Sequence, residues 1–551
     1  MMQPETKEVF IKQIDMMVAA KIIQLVASGI YRTPANALKE LISNAFDADA
    51  TRVDISLDVD EEHEKVNAIV VKDNGLGINS SDFAFSMTHI GVSLKKMEGT
   101  TTKMGRPIIG RIGIGLLSVG QATNKFEFLS ATSDGIGMRA EVDLSPYYDA
   151  ITMTESLDTL KIGNIRLFQS ENPSKDHYTK ITLGELKEPF VRGLVGKSGY
   201  RKNFDFARNP SYEAFVKWLD ENEIKRLDEI SPFNRFMFEL GLLTPVRYLP
   251  YGPVRGATTP VLTKIKKRLE SYDFHLYVNG VEIFKPILFP HVSDMSLLGK
   301  EPYKVYEKEL DITFDNRRII ANCYYYHQDV RIIPYELRGL LLRVKNVGIG
   351  TYENNFSKIA SESPVVLHQL TGELYVDEGL DTALNIDRNS FFESDEAYQR
   401  LWLEVLAWVN PEQLPEEALK YVGPAEHPVS RDIRRRLDFI RKEKKKERGA
   451  RARQFLIKKL ARIISRVGYP IDHPPELKIV IDPKSKLQAN ISIEKQRPLV
   501  TVTLDRKYAE IVQNVLVLLL TAQKIAITVS KGSTQEFENV FSTILKEIDI
   551  D

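Results

Sequence analysis

The segment Leu38-Lys39-Glu40-Leu41-Ile42-Ser43-Asn44-Ala45-Phe46-Asp47-Ala48-Asp49-Ala50 narrows what this chain can fold into more than any other. Taken as a helix at about 100° per residue, it gathers Leu38, Leu41, Ile42 and Ala45 on one apolar arc. Glu40, Asn44 and Asp47 then stand at i, i+4 and i+7 on the opposite face. The apolar arc demands a core to pack against. The polar stripe is satisfied by solvent if this is an amphipathic surface helix. It is satisfied by function if a carboxylate base, a metal-binding amide and an acid line one wall of a cleft.

Three further segments bear on that choice. Ala68 to Lys72 reads as a strand that runs into Asp73-Asn74-Gly75-Leu76-Gly77-Ile78. A carboxylate at a strand end accepts a donor, while the alternating glycines let backbone approach a planar ligand; the same string is also ordinary turn chemistry. In Ile109-Gly110-Arg111-Ile112-Gly113-Ile114-Gly115-Leu116-Leu117-Ser118, three glycines open an apolar, helix-like stretch. Backbone N–H groups at such a helix start cradle phosphate without a lysine, and the spacing fits neither the Rossmann nor the Walker pattern. Glycine packing at a helix–sheet contact is the plainer account. Tyr178-Thr179-Lys180-Ile181-Thr182-Leu183 alternates as a strand that brings a hydroxyl towards Asp73.

In this order the four segments resemble the GHKL ATPase superfamily of gyrase, the heat-shock chaperone, histidine kinases and MutL. The strings E-L-I-S-N-A-x-D-A, D-N-G-x-G-I and I-G-x-x-G-x-G-x-x-S are close to those of HtpG-like proteins, over about residues 20–190. The resemblance implies a Bergerat-type α/β sandwich that binds ATP and Mg²⁺. By position, Glu40 matches the general base, Asn44 the Mg²⁺ ligand, Asp47 the acid on the same wall and Asp73 the acceptor of the adenine amino hydrogen. Gly75 and Gly77 match the backbone beside the base, and Thr179 the hydroxyl that supports Asp73. Gly110, Arg111, Gly113 and Gly115 match the phosphate-cradling turn. Residues 87–107 would form the ATP lid, with Ser93 and Lys95 in its small-residue, serine and lysine pattern. Two basic residues match the one that reaches the γ-phosphate from a second domain. Arg388, in Leu384-Asn385-Ile386-Asp387-Arg388-Asn389, resembles the chaperone's arginine, although Phe392 replaces the glutamine that follows it there. Lys345, in Leu342-Arg343-Val344-Lys345-Asn346, resembles the lysine of MutL, gyrase and Microrchidia proteins.

The rest of the chain suggests an α+β multidomain protein. With 551 residues it has room for about three or four domains. The expected division is an ATP-binding domain over 1–195, a middle or transducer α/β domain over 196–410, a linker and basic helical segment over 411–470, and a small α/β unit over 471–551. Lys plus Arg and Asp plus Glu balance at 75 each, yet Arg431 to Arg466 holds sixteen basic residues against four acidic ones. That segment predicts long basic helices, which are either a solvated coil or a surface for phosphate backbone. Strands are expected at 53–59, 274–278, 281–283, 324–326, 479–481, 491–493 and 500–502, and a buried helix at 508–525. The one cysteine, Cys323, excludes an internal disulfide or a cysteine zinc cluster. The first ten residues carry Glu5 and Glu8 rather than an apolar run, and the longest apolar run, Val515 to Leu520, is far short of the ~20 residues that span a bilayer. A cytoplasmic protein is the expectation. A homodimeric, ATP-driven clamp on nucleic acid, of Microrchidia or MutL type, is the leading functional expectation; an HtpG-like chaperone for protein clients and a nucleotide-switched scaffold in bacterial defence are the alternatives.

Overall fold

The structure, a computed structural model, describes residues 33–60, 65–88, 99–110, 118–145, 164–171, 176–196, 199–290, 303–328, 330–352, 368–385 and 388–410, isolated positions 416, 422, 435 and 442, and the backbone of 479–481, 488–493 and 501–505. The chain divides into two compact units, Met1–Arg434 and Arg435–Asp551.

In the first unit, β1 (Arg52–Asp60) and β2 (Lys65–Asp73) form the antiparallel hairpin that their alternation predicts. Val53, Ile55 and Leu57 are buried, paired across the ladder with Asp73, Val71 and Ile69. They belong to an eight-stranded sheet with β3 (Lys125–Ala131), β4 (Ile136–Asp143), β5 (Asn164–Glu171), β6 (Tyr178–Leu183), β7 (His275–Val278) and β8 (Val281–Ile283). The order is β5-β4-β3-β6-β2-β1-β7-β8, and β1 with β7 is its one parallel pair. The β7–β8 hairpin turns at Asn279 and Gly280, both at positive φ, as a two-residue hairpin loop requires. Although far along the chain, it extends the first sheet, because β1 offers it an open edge and Asn279 Oδ1 accepts from Leu57 N at 2.8 Å.

Among the described residues the helices of this unit are α1 (Pro34–Asp47), α2 (Ser80–Thr88), α3 (Val119–Ala122), α4 (Glu188–Val195), α5 (Tyr212–Glu221), α6 (Pro232–Leu243), α7 (Pro260–Ser271) and α8 (Glu396–Val409). Three of them begin alike, with a hydroxyl N-cap followed by proline. Thr33, Ser231 and Thr259 accept from the N–H of Asn36, Asn234 and Leu262 at 3.4, 3.3 and 3.4 Å. The cap satisfies an orphan donor, and proline at the first helical position has none to lose. Helix α6 packs on α1 and α4 and also touches β8.

A second sheet contains β9 (Tyr303–Phe314), β10 (Arg317–Gln328), β11 (Gly339–Val344), β12 (Val347–Ile349) and β13 (Leu370–Glu378), ordered β12-β11-β13-β10-β9. The Tyr324–Tyr326 run lies on β10, as its sequence suggests. Helix α6 reaches this sheet at β12, and α7 packs on β9 and β10. Between α6 and the sheet lie three wholly buried charges, Lys285, Arg343 and Glu373. Arg343 donates to Glu373 Oε1 at 2.6 Å and to the carbonyl of Leu242 at 2.7 Å, while Lys285 donates to the carbonyl of Thr244 at 2.9 Å. Both cations therefore sit at the C-terminal end of α6, where the helix presents its unpaired carbonyls. Tyr324 donates to Glu373 Oε2 at 2.6 Å, and Tyr248 donates to the same oxygen. Burial works to raise the Glu373 carboxyl, but Arg343 and Lys285 outweigh it and hold the group below its ordinary range. Burial, reinforced by Arg343, pushes Lys285 well down.

In the second unit, β14 (Ile479–Ile481), β15 (Gln488–Ile493) and β16 (Thr501–Asp505) form an antiparallel sheet close to the positions expected. The helix expected at 508–525 and, but for two isolated positions, the basic segment Arg431–Arg466 lie outside the described residues. Among the described residues, no helix is long and apolar enough to cross a membrane.

Removing Glu373 would strand the buried Arg343 guanidinium without its counter-ion. Glu373→Ala is therefore expected to cost about 3–5 kcal/mol of stability. Cys323, buried in β10 with its thiol pushed up by burial, reports on this directly. It should resist a thiol reagent in the native protein and react markedly faster in Glu373→Ala at the same temperature; equal labelling rates would refute the assigned role of the carboxylate.

Candidate nucleotide site

The polar stripe of α1 is not solvated. Glu40 is 3% exposed, Lys39 and Ser43 are buried, and Asp47 is nearly so, while Asn44 is half-buried. Each charge on this face meets a partner from elsewhere in the chain. Asp47 accepts from Ile109 N and Gly110 N, both at 2.7 Å. It thereby pins the entrance of the glycine segment to α1. Gly110 is placed by these contacts; Arg111, Gly113 and Gly115 lie outside the described residues, as do Ser93 and Lys95.

Asp73 ends β2, with Oδ1 accepting from Gly75 N at 2.8 Å. Asn74 fastens the following turn to the start of β1, accepting from Thr51 N and Arg52 N at 2.9 and 2.8 Å. Leu76 N donates to Ala48 O at 2.8 Å, joining the turn to the end of α1. The glycines are required by this closeness. A Cβ on Gly75 would lie 2.8 Å from Ala48 O and 2.9 Å from Asp73 Oδ1. Gly77 has φ +71°, and a Cβ there would collide with the Ala131 carbonyl.

Thr179 lies opposite Asp73 in the ladder between β2 and β6. Its hydroxyl is 3.3 Å from that of Ser130, a buried residue that donates to Tyr178 O at 2.9 Å and accepts from Ile78 N at 2.9 Å. Sequence reasoning passed over Ser130, although the alternation Phe126-x-Phe128-x-Ser130 puts a hydroxyl on the buried side of an apolar strand. His177 was also missed. Its Nδ1 donates to Gly75 O at 2.8 Å, since a carbonyl only accepts.

The base of the expected lid is held independently. Thr102 N donates to Arg106 O at 2.8 Å and Ile108 N to Thr100 O at 3.0 Å, closing a short hairpin. Asp49 accepts from the Thr102 hydroxyl and from Met104 N. Arg106 is buried, with Nη1 2.7 Å from Ala50 O and 3.3 Å from Phe46 O, and with Nη2 donating to Tyr272 O. Its guanidinium also lies over the Phe46 ring, at 4.9 Å. Burial draws its pKa below the ordinary value. Nothing in its immediate sequence marks this arginine as internal.

The two rival basic residues are placed differently. Arg388 lies in a loop closed by the Leu384–Phe391 bridge and by Asn385 Nδ2 donating to Ser390 Oγ at 2.7 Å. Its Nη1 reaches Glu40 Oε2 at 3.2 Å and its Nη2 reaches Ile109 O at 2.9 Å. Glu40 Oε1 is buried with no hydrogen-bond partner among the described residues. Lys345 occupies the β11–β12 turn, where Nζ donates to Asp381 Oδ1 at 2.7 Å. Phe392, standing where the chaperone has glutamine, is 54% exposed.

Because Gly77 combines a left-handed backbone with no room for a side chain, Gly77→Ala is expected to destabilise the unit by about 1–3 kcal/mol. Gly184→Ala, where the added methyl meets nothing within 4 Å, is the control and should leave the unfolding midpoint in urea nearly unchanged.

The chain resembles known proteins over this region. Residues 31–149 match the family of histidine kinase-, DNA gyrase B- and HSP90-like ATPases. The DNA mismatch repair protein MutL of Ehrlichia chaffeensis is 32% identical over 319 residues, 56% of this chain and 44% of that protein. HgiDII of Herpetosiphon aurantiacus, named as a candidate type II restriction enzyme, is 34% identical over 110 residues, 20% of this chain and 16% of that protein. MutL of Shewanella piezotolerans is 29% identical over 142 residues, covering 24% and 22% respectively. The chain spans less than half the length of each of these curated relatives. The helix, the strand-end aspartate and Gly110 at the entrance of the glycine segment all fall within the matched residues 31–149, and this region is similar to the GHKL superfamily of ATPases.

Proposed function

We propose that this protein hydrolyses ATP and uses the cycle to open and close a dimeric clamp on nucleic acid. The observation that carries the hydrolytic part is the pairing of Glu40 with Arg388. A buried carboxylate keeps one oxygen, Oε1, without a partner among the described residues, and a guanidinium from the loop that follows β13 lies against the other. Phosphoryl transfer to water needs positioning, compensation of negative charge and one base. Glu40 Oε1 takes the proton of the attacking water, and Arg388 offers its positive charge to the terminal phosphate.

The remaining parts of the nucleotide fall to residues at the end of β2, on α1, in the glycine segment and on the lid. Asp73, which accepts from Gly75 N within its own turn, is the proposed acceptor of the adenine amino hydrogen, with Thr179 opposite it in the ladder. Gly75 and Gly77 leave no bulk beside the base. Asn44, half-buried on the same helix face as Glu40, would hold Mg²⁺, which supplies positive charge to the phosphate oxygens when bound. Gly113 and Gly115 would offer backbone N–H groups to the phosphates, beyond Gly110, whose own N–H is held by Asp47; Arg111 would stand beside them, with Ser93 and Lys95 on the lid. Arg388 is the proposed γ-phosphate sensor rather than Lys345, whose ammonium is engaged by Asp381.

Nucleic acid as the substrate is supported by the MutL relatives, named for DNA mismatch repair, and by the basic segment Arg431–Arg466, whose charge suits phosphate backbone. The HtpG-like strings favour a second reading, a chaperone for protein clients.

Glu40→Ala should bind ATP like the wild type and lose turnover by about 10²-fold or more, the usual worth of a general base. Asp73→Asn should lose ATP binding, and Arg388→Ala should slow turnover far more than Lys345→Ala. Hydrolysis by Glu40→Ala at the wild-type rate would refute the mechanism. For the substrate, the Glu40-dependent rate should rise with duplex DNA, and the stimulation should fade between about 50 and about 200 mM salt. A rate indifferent to DNA, together with suppression of client aggregation, would favour the chaperone reading.

A further inference from the structure

Lys39, the neighbour of the proposed base, has no part in the mechanism so far. It is 0% exposed, and a buried ammonium is costly unless hydrogen bonds compensate it. Its Nζ lies 3.3 Å from Arg388 O and 3.1 Å from Asn389 Oδ1. Both acceptors belong to the loop that delivers Arg388. Arg388 has φ +49°, a left-handed conformation that costs a non-glycine residue energy and persists only where its surroundings hold it. Two adjacent residues of α1 thus grip the two ends of one arginine: Lys39 takes its backbone carbonyl and Glu40 its guanidinium.

Resting on the ATPase proposal, we infer that Lys39 is a positioning residue for the hydrolytic step. By fixing the backbone of Arg388 in its left-handed turn, it aims the guanidinium at Glu40 and at the carbonyl of Ile109. Lys39 itself touches no reacting atom. Its loss should therefore affect turnover rather than nucleotide affinity, and only through Arg388.

The test is a double-mutant cycle in the full chain, with ATP affinity measured separately from kcat. Lys39→Met keeps the length of the side chain and removes its donors. It should lower kcat by about tenfold or more while leaving ATP affinity within about twofold, and it should lower kcat no further when Arg388 is already alanine, because coupled residues do not add. Asn389→Ala, which removes one of the two acceptors, should lower kcat in the same direction by a smaller factor. The inference is overturned if Lys39→Met turns over like the wild type, or if its effect simply multiplies with that of Arg388→Ala. If Lys39→Met fails to fold, a wild-type rate in Asn389→Ala overturns it and a reduced, Arg388-dependent rate supports it. Failure of the ATPase proposal itself is separable, since it would leave Glu40→Ala as active as the wild type.

Discussion

Helix α1 is buried on its polar face as well as its apolar one, and that constraint organises the first unit. A surface helix leaves its charges to water. Here Lys39, Glu40 and Asp47 are each withdrawn from solvent, and an unpaired buried ion costs several kcal/mol, whereas a hydrogen bond to a charged group returns about 1.5–3 kcal/mol. The sums balance only if every charge is met, so distant pieces of chain are committed to this helix. Ile109 and Gly110 meet Asp47, Arg388 meets Glu40, and Arg388 with Asn389 meets Lys39. The partners that neutralise the helix are also those the proposed chemistry uses.

The second sheet is tied to the same helix through α6. That helix packs on α1 along its side and ends against Arg343 and Lys285, which take its terminal carbonyls and share Glu373 with a group of tyrosines. An apolar substitute for this cluster would pack as well, since buried ion groups are weak sources of stability. What the cluster supplies is directionality: hydrogen bonds with fixed geometry set α6 against the sheet in one way, where apolar contacts would tolerate several.

Much of this was readable in the residues alone, where local pattern and tertiary outcome coincide. The strand alternation of 53–57, the Asn279–Gly280 turn and the Asp73 strand end each follow from short-range rules. The parts that were not readable depend on long-range partners. Lys39 sits at the border of the apolar arc, where a lysine ordinarily extends its head to water; only the arrival of residues 388–389 buries it. Arg106 has no apolar periodicity around it and becomes internal because Phe46, Ala50 and Tyr272 all present carbonyls at one point. Arg388 and Lys345 were equal as sequence candidates, one resembling the chaperone's arginine and the other the lysine of MutL, gyrase and Microrchidia proteins. Their positive φ values are nearly the same, 49° in both, so backbone geometry does not separate them. The partners do, a carboxylate of α1 for one and Asp381 for the other.

The position of Arg388 also explains why an arginine suits this point better than a lysine. Its fork makes two divergent bonds at once, to Glu40 and to the carbonyl of Ile109, where an ammonium would act as a point charge without a fixed plane. Ile109 is the peptide at the mouth of the glycine segment, and Asp47 already holds its N–H. The residue is thus clamped from both sides, by α1 through its donor and by the second-sheet loop through its acceptor. Any displacement of the loop moves the partner of Glu40, the proposed general base, and the entrance of the glycine segment together. The loop therefore meets α1 and the glycine segment through a small set of groups: the Arg388 guanidinium, the Ile109 peptide, and the Arg388 carbonyl and Asn389 side chain held by Lys39.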